Sequence, residues 1–310
     1  MNAHSTSTAQ APEKPRLSAL LAQVATIVTI KTTSIGMNRL DKEASKSSDR
    51  QHNAKDGTGK TYASRLAGHK HRVDEISAKA LELKNAAYAM STDWNGERLI
   101  SNQMLKELLP ILGKVKREHA ALVEQFRADA PAMIAEAEQN KGSYKVDVPT
   151  MEEVNKAFSL EFDMKQIPDS ADYVAKGVSA ELEAQMRRHF EAGVEAAYQR
   201  ATTDALQRVA KPLGKLVERL TEYSKIENER ARGLDIKQTR MFESVITNVT
   251  DIAQVFGSFN LAGDPVMAKV DAALRDFQGV DIEDVKADSH LRDDLTKKAQ
   301  AILADLADLI

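Results

Sequence analysis

One long apolar stripe constrains the fold of this chain more than any other feature. Between Val178 and Ile226 apolar side chains recur every three or four residues, which places them on one face of an α-helix. An unbroken helix of that length extends about 70 Å, more than the diameter of a small domain, so it needs an equally long partner. The stripe consists of Leu182, Met186, Phe190, Val194, Ala197, Ala201, Ala205, Val209, Leu213, Leu216, Leu220 and Tyr223.

A second long helical segment, Leu99 to Ala137, provides that partner in the fold predicted here. Its apolar residues alternate steps of three and four, a heptad seam on which His119 is typical of a packed or register-setting side chain. Pro110 and Pro131 predict a kink or a local break in this segment. The predicted fold is mainly α: a long antiparallel, coiled-coil-like helical hairpin with a small β element and a C-terminal helical bundle.

The β element comes from two short stretches. Val24 to Thr33 is β-branched almost throughout, and Phe158 to Met164 alternates apolar and polar residues. After Gly233 the pattern changes to shorter helices, the first over 237–256 with Phe242 on its apolar face and a later one opened by Asp264-Pro265. The predicted divisions are a disordered 1–16, a strand region 17–40, a basic polar loop 41–64, the hairpin 65–232 with its β insertion at 142–168, and the bundle 233–310.

Composition limits the classes of function. The net charge of −3 excludes a polycation, and the lack of cysteine excludes disulfides and thiolate metal sites. The longest apolar run, Leu17 to Ile30, is too short and too polar to cross a bilayer, and residues 1–16 lack the features of a signal peptide. These observations predict a cytoplasmic protein that has no membrane partner.

The layout also resembles a known family. The β-branched first strand, the long charged helices, Phe158-Ser-Leu-Glu-Phe162 and Asn260-Leu-Ala-Gly-Asp264-Pro265 are similar to the family catalogued as domain of unknown function 3150, found in phages and bacteria. The resemblance implies a helical protein encoded near a MoxR-type AAA+ ATPase and a von Willebrand A-domain protein. It therefore implies an adaptor or substrate receptor in an ATP-driven assembly, in the host cytoplasm if the gene is phage-borne, and it implies no catalytic residues.

No cofactor, metal or catalytic site is predicted. Ala54 to Thr61 has Gly59-Lys60-Thr61 in the order of a phosphate loop, but the polar residues before it cannot form the buried strand that such a loop follows. His69 and His71 lie two apart and so point to different sides of a helix, and His52 lies upstream. We find no nucleophile, base and acid in a recognisable arrangement.

Residues 42–72 form a basic segment, with eight Lys or Arg against three Asp or Glu. Phosphate backbones are attracted to such a segment, and Tyr62 is the one aromatic residue within it for stacking. The sequence favours a non-enzymatic interaction or scaffold protein of phage or mobile-element origin that binds a protein partner or a second copy of itself. The alternative is a nucleic-acid-associated protein. Its candidate contacts are Lys55, Lys60, Lys70 and Arg72.

Overall fold

The computed structural model describes residues 16–172, 177–234, 243–307 and 309, and it is mainly α as predicted. Residues 1–15, Phe242 and Ile310, which figured in the predictions, lie outside the described residues. The elements in chain order are α1 (Leu17–Val24), β1 (Ala25–Thr32), β2 (Asn38–Asp41), α2 (Lys42–Gln51), β3 (Thr61–Ser64), α3 (Lys70–Ala89), β4 (Thr92–Trp94), β5 (Glu97–Ser101), α4 (Asn102–Asn140), α5 (Met151–Lys156), β6 (Leu160–Gln166), α6 (Ala180–Ala231), α7 (Glu243–Val255), α8 (Pro265–Leu274), α9 (Ile282–Ala287) and α10 (Ser289–Ala307).

Four of the strands form one small sheet in the order β4-β5-β1-β6, and β2 pairs with β3 in a separate ribbon. β1 and β5 are antiparallel, with Ala25 opposite Ser101 at one end of the register. β4 and β5 are joined by Asn95 and Gly96, whose φ angles of 54° and 85° suit a tight hairpin turn. The predicted strands at 24–33 and 158–164 are thus confirmed as β1 and β6, and β2 to β5 are additional.

The chain divides into two compact units. Unit 1 comprises the described residues up to Val28, Ala89–Leu105 and those from Met164 onward. Unit 2 comprises Thr29–Tyr88 and Lys106–Asp163. Each unit has its own hydrophobic core, and each is described separately below.

Unit 2 is organised around an antiparallel helical hairpin made by α3 and α4. Lys79 pairs with Glu118 at 2.8 Å and Arg72 pairs with Asp129 at 2.7 Å, so the start of α3 lies beside the later part of α4. The later part of α4, from Val123 to Ala137, is buried with α3 and α5 in one core. The structure therefore has a helical hairpin, but its arms are α3 and α4. The sequence had assigned the second arm to 178–226, and that segment is part of α6 in unit 1. The core includes Ile35, Met37, Leu66, Val73, Ile76, Val123, Phe126, Ala130, Met133, Val154 and Phe158.

The prolines do not interrupt the long helices. α4 continues through Pro110 and Pro131, and α6 continues through Pro212. The local breaks that the sequence predicts at Pro110 and Pro131 are absent, because the remaining hydrogen bonds and the buried face on either side hold the helix together.

Unit 1 is organised around α6, which has 52 residues. The stripe predicted from the sequence is buried from Val194 to Tyr223. Its later part packs with α7, α8, α9 and α10, which confirms the C-terminal helical bundle. Its earlier part, around Ala197 and Ala201, packs with residues of α1, β1, β4 and β5.

The region predicted as a polar loop, 41–64, contains β2, α2 and β3 instead. α2 escapes prediction because it has no apolar stripe, and its buried residues are Ser45 and Asp49. Asp41 begins the helix by accepting a hydrogen bond from the N–H of Ala44 at 2.9 Å. The Ser45 hydroxyl donates to the Asp41 carbonyl at 2.6 Å. Polar contacts thus supply the order that apolar burial supplies elsewhere.

Candidate functional site

The glycine-containing segment 54–61 is a loop closed by an acidic side chain. It follows a helix and precedes a strand, the reverse of the order that a phosphate loop requires. The Asp49 carboxylate accepts hydrogen bonds from the N–H groups of Gly57 and Gly59, each at 2.7 Å. A Cβ on Gly59 would lie 3.0 Å from that carboxylate, so the close approach favours glycine. The carboxylate occupies the N–H groups that a phosphate would need.

Five exposed cations lie on α2 and on the loop that follows it, and we call them the basic surface. The three on α2 are spaced four residues apart and therefore share one face of the helix. None of the five has an ion-pair partner among the residues that the structure describes, and the exposed carboxylates nearby in sequence are Glu43 and Asp56. The basic surface consists of Lys42, Lys46, Arg50, Lys55 and Lys60.

The four residues predicted to contact nucleic acid separate into two pairs. Lys55 and Lys60 lie exposed in the loop and belong to the basic surface. Lys70 instead pairs at 2.5 Å with the aspartate one turn later in α3, and Arg72 pairs at 2.7 Å with Asp129 of α4. The structure therefore brings Lys55 and Lys60 together with the cations of α2, and it assigns Arg72 to the helical hairpin.

Arg65, another residue of the basic segment, is buried with 2% of its side chain exposed. Its guanidinium lies 2.9 Å from the carboxylates of both Asp147 and Glu153, and its Nε donates to the Asp147 carbonyl at 2.9 Å. Hydrogen bonds from the Thr150 N–H and from Arg65 hold the pKa of Glu153 below its ordinary value. Arg65 therefore stabilises the fold of unit 2, and its guanidinium is not available to bind an external anion.

The Asp41 carboxylate connects the start of α2 with the segment around residue 144 through two hydrogen bonds. It accepts the N–H of Ala44 and, at 2.6 Å, the N–H of Lys145. These two hydrogen bonds lower the pKa of Asp41. Because Tyr144 directly precedes Lys145, its ring is placed beside α2, where it was not expected from the sequence.

One exposed tyrosine, Tyr144, lines a groove beside the basic surface, and a second, Tyr62, lies on β3, whose first residue Thr61 lines the same groove. Tyr62 on β3 is 58% exposed and Tyr144 is 50% exposed. The groove has a volume of about 620 Å³, and Ser47, Gln51 and Tyr144 are among the residues that line it. Sequence reasoning found Tyr62 but missed Tyr144, because about eighty residues of chain separate the two and only tertiary contacts place them in one region.

The histidines do not form a metal site within the described part of the chain, where no three His, Cys, Asp or Glu side chains come together. His52 and His71 are exposed, and the Nε2 atom of His69 lies 3.1 Å from a carboxylate oxygen of Glu136. His119 is buried on α4, as its place on the seam predicts. Burial lowers its pKa, so its ring is neutral at pH 7.

His119 also lines a cavity of about 230 Å³ in unit 2, which is open to solvent on the side where Ser77, Leu81 and Lys84 are exposed. The end of β1, one face of α3 and the side chain of Phe158 complete the wall. Phe158 has a φ angle of 66°, a left-handed backbone conformation that bulky residues rarely adopt. Its ring meets the ring of Phe126 edge-on at 5.0 Å. Packing therefore holds a strained backbone at the cavity wall.

No protein-family model, curated protein or solved structure matches this chain. The resemblance to domain of unknown function 3150 therefore stays a prediction. None of the helices in the described ranges is both long and apolar enough to cross a membrane.

Proposed function

We propose that this protein binds the backbone of single-stranded nucleic acid through the basic surface of unit 2, in the cytoplasm of the cell. The observation that carries the proposal is the row of Lys42, Lys46 and Arg50 along one face of α2, exposed and without carboxylate partners among the described residues. Cations arranged in this way release counterions from a phosphate backbone, which gives affinity without sequence preference.

The tyrosines favour a single strand over a duplex. The bases of a single strand are free to stack on aromatic rings, whereas a duplex offers its backbone and groove edges. Tyr62 and Tyr144 are both half-exposed or more; Tyr144 lines the groove beside α2, and Tyr62 lies on β3. Five cations against the carboxylates of Glu43 and Asp56 leave a modest positive charge, so binding should be sensitive to salt.

Charge reversal of the three α2 cations tests this proposal. We expect Lys42→Glu, Lys46→Glu and Arg50→Glu together to weaken binding to a fluorescent oligo-dT at least about tenfold at low salt, because three phosphate contacts become repulsive. Fluorescence anisotropy measures the affinity. The unaltered protein should also lose affinity as salt rises, with a slope of about −0.7 for each phosphate contact.

A matched control reverses three exposed cations elsewhere in unit 2, namely Lys106, Lys116 and Arg117 of α4. This control should bind nearly as well as the unaltered protein, since its change of net charge is the same but its location differs. An equal loss of oligo-dT affinity in both triple variants would mean that net charge, and not the basic surface, determines binding. Absence of binding by the unaltered protein at low salt would end the proposal.

The second candidate is an adaptor for a MoxR-type AAA+ ATPase or a von Willebrand A-domain protein, in line with the resemblance and a phage origin. The observation that favours it is the start of α6, where Leu182 is 45% exposed although it belongs to the apolar stripe. The first buried residue of this helix is Val194, so the first turns of α6 precede its packed part. An exposed apolar face of this kind suits a partner helix or a second copy of the chain.

This candidate predicts capture of one of those two partners by the tagged protein from cells that carry the native genome, with and without ATP. Leu182→Asp should abolish the capture, whereas Ala184→Asp, an exposed position on the other side of the same helix, should leave it intact. Mass spectrometry identifies the partner. A monomeric protein that captures neither of them would exclude the adaptor.

A further inference from the structure

The cavity beside His119 combines features that the proposed function does not use. His119 is 5% exposed, and no hydrogen bond in the described part of the chain involves its ring. A neutral imidazole carries one donor and one acceptor, and buried groups of this kind are ordinarily paired. The His119 ring nitrogens are not among the buried atoms that lack a partner, so they reach the accessible space of the cavity, where an occupant of the cavity can pair with them.

The wall of the cavity combines polar and apolar side chains. Ser77, Leu81 and Lys84 follow one another along a single face of α3, because they are spaced four and three residues apart. The Lys84 ammonium donates to the Thr32 hydroxyl at 2.6 Å. The hydroxyls come from Thr32, Thr33, Ser34 and Ser77, and the apolar side chains are Ile76, Ala80, Leu81 and Phe158.

The strained backbone at Phe158 is held in place by its neighbour. Ser159 donates its N–H to the Thr33 hydroxyl at 2.8 Å, and its carbonyl accepts the Thr33 N–H at 3.0 Å. Thr33 lines the cavity. Two hydrogen bonds and a buried ring thus preserve a costly conformation in the cavity wall, and strain of this kind clusters at ligand clamps.

The charged side chains that line the cavity indicate the charge of its ligand. Lys84 is the one cation among the described residues that line the cavity, and no acidic side chain lines it within the described ranges. A single ammonium suits a monoanion better than a phosphate dianion. A volume of 230 Å³ holds about eight water molecules at about 30 Å³ each, or an organic molecule of about ten non-hydrogen atoms.

We propose that this cavity binds a small monocarboxylic acid with an apolar body, its carboxylate at Lys84 and the neighbouring hydroxyls and its body against Phe158 and Ile76. The His119 ring then donates to or accepts from the bound acid. This inference is independent of nucleic-acid binding, because none of the residues that line the cavity belongs to the basic surface.

Benzoate is the first probe, and benzamide is its neutral counterpart of the same shape. We expect benzoate to shift the NMR signals of the His119 ring and the Ile76 methyl groups saturably, with a dissociation constant of about 0.1–1 mM for so small a ligand. Benzamide should bind at least about tenfold more weakly, since it has no charge for Lys84. No saturable shift with either probe, or equal binding of both, would overturn the proposal.

Two variants separate the cavity from a general effect of charge. Lys84→Met should weaken benzoate binding at least about tenfold. Lys116→Met, which removes an exposed cation of α4 outside the cavity, should leave it unchanged. Ser77→Leu should abolish binding by filling the cavity. Retention of binding by both Lys84→Met and Ser77→Leu would exclude this site.

His119→Leu tests whether the histidine is kept for a ligand or for the fold. If its ring lacks a protein partner, leucine should raise the midpoint of thermal unfolding of the unliganded protein while it weakens benzoate binding. A lowered midpoint together with unchanged benzoate binding would assign His119 to packing alone and contradict the proposal.

Discussion

Replacing Arg292 by methionine should lower the free energy of unfolding of unit 1 by about 3 kcal/mol. The Arg292 side chain is 2% exposed, and its Nη1 donates to the carbonyls of Val285 at 3.0 Å and Lys286 at 2.7 Å. These carbonyls belong to the last residues of α9, where a helix has unpaired acceptors. The guanidinium also pairs with Glu227 of α6 and lies over the ring of Tyr223 at 5.1 Å. Methionine retains much of the apolar volume, so the loss reports the polar contacts.

Urea unfolding followed by circular dichroism measures this loss, and hydrogen exchange assigns it to α9, α10 and the end of α6. Arg275→Met is the matched control, because that side chain is 67% exposed and pairs with Asp271 four residues earlier in the chain. The control should cost less than about 0.5 kcal/mol, as exposed pairs contribute little. If both variants lost a comparable free energy of unfolding, the buried contacts of the Arg292 guanidinium would contribute no more than an exposed ion pair.

The parts of the fold that the sequence predicts are those that depend on local periodicity and capping. The stripe of α6, the strand β1 and the helix α8 that begins after Asp264 all appear where the pattern places them. Thr150 and Glu153 stand in the Thr-x-x-Glu order that is typical of a capping box, and they form one with both reciprocal hydrogen bonds present. In each case the residues that carry the signal are within a few positions of one another, so no tertiary contact is needed to read it.

The parts that escape prediction are stabilised by polar contacts or by partners distant in sequence. α2 buries Ser45 and Asp49, and neither residue type indicates a buried helix face. The partner of α4 could not be chosen from apolar stripes alone, because α3 and α6 both carry one. The hairpin at Asn95 and Gly96 did carry a known turn signal, but its strands β4 and β5 are too short to show alternation.

The candidate site shows the same division. The exposure of Lys55 and Lys60 follows from the glycine-containing loop around them, and their place in a basic segment is visible in the sequence. The pairing of Arg72 with Asp129 and the burial of Arg65 depend on residues more than fifty positions away. A count of local charge therefore overstates the number of cations that are free to contact a phosphate backbone. The exposed cations without ion-pair partners among the described residues include the three on α2.

Arg65 connects three parts of unit 2 that are far apart in the sequence. Its guanidinium contacts Asp147 and Glu153, and its backbone N–H donates to the Met37 carbonyl at 2.7 Å. Glu153 completes the capping box of α5, so the arginine also stabilises the start of that helix. Loss of the guanidinium would leave the Asp147 carbonyl without its donor and remove the cation that both carboxylates face.

Arg65→Met should therefore lower the free energy of unfolding of unit 2 by about 3 kcal/mol. The rate of amide hydrogen exchange should increase most around α5 and residues 144–153. The pKa of Glu153 should rise toward its ordinary value, since the side-chain hydrogen bond that helps to lower it is gone, and carbon NMR of the carboxyl follows this change. Arg39→Met is the control: that side chain is 55% exposed and lies 3.8 Å from the same Asp147, so its removal should cost less than about 0.5 kcal/mol. An unchanged pKa of Glu153 and unchanged exchange in Arg65→Met would mean that α5 is held by its own capping box and that Arg65 contributes only packing.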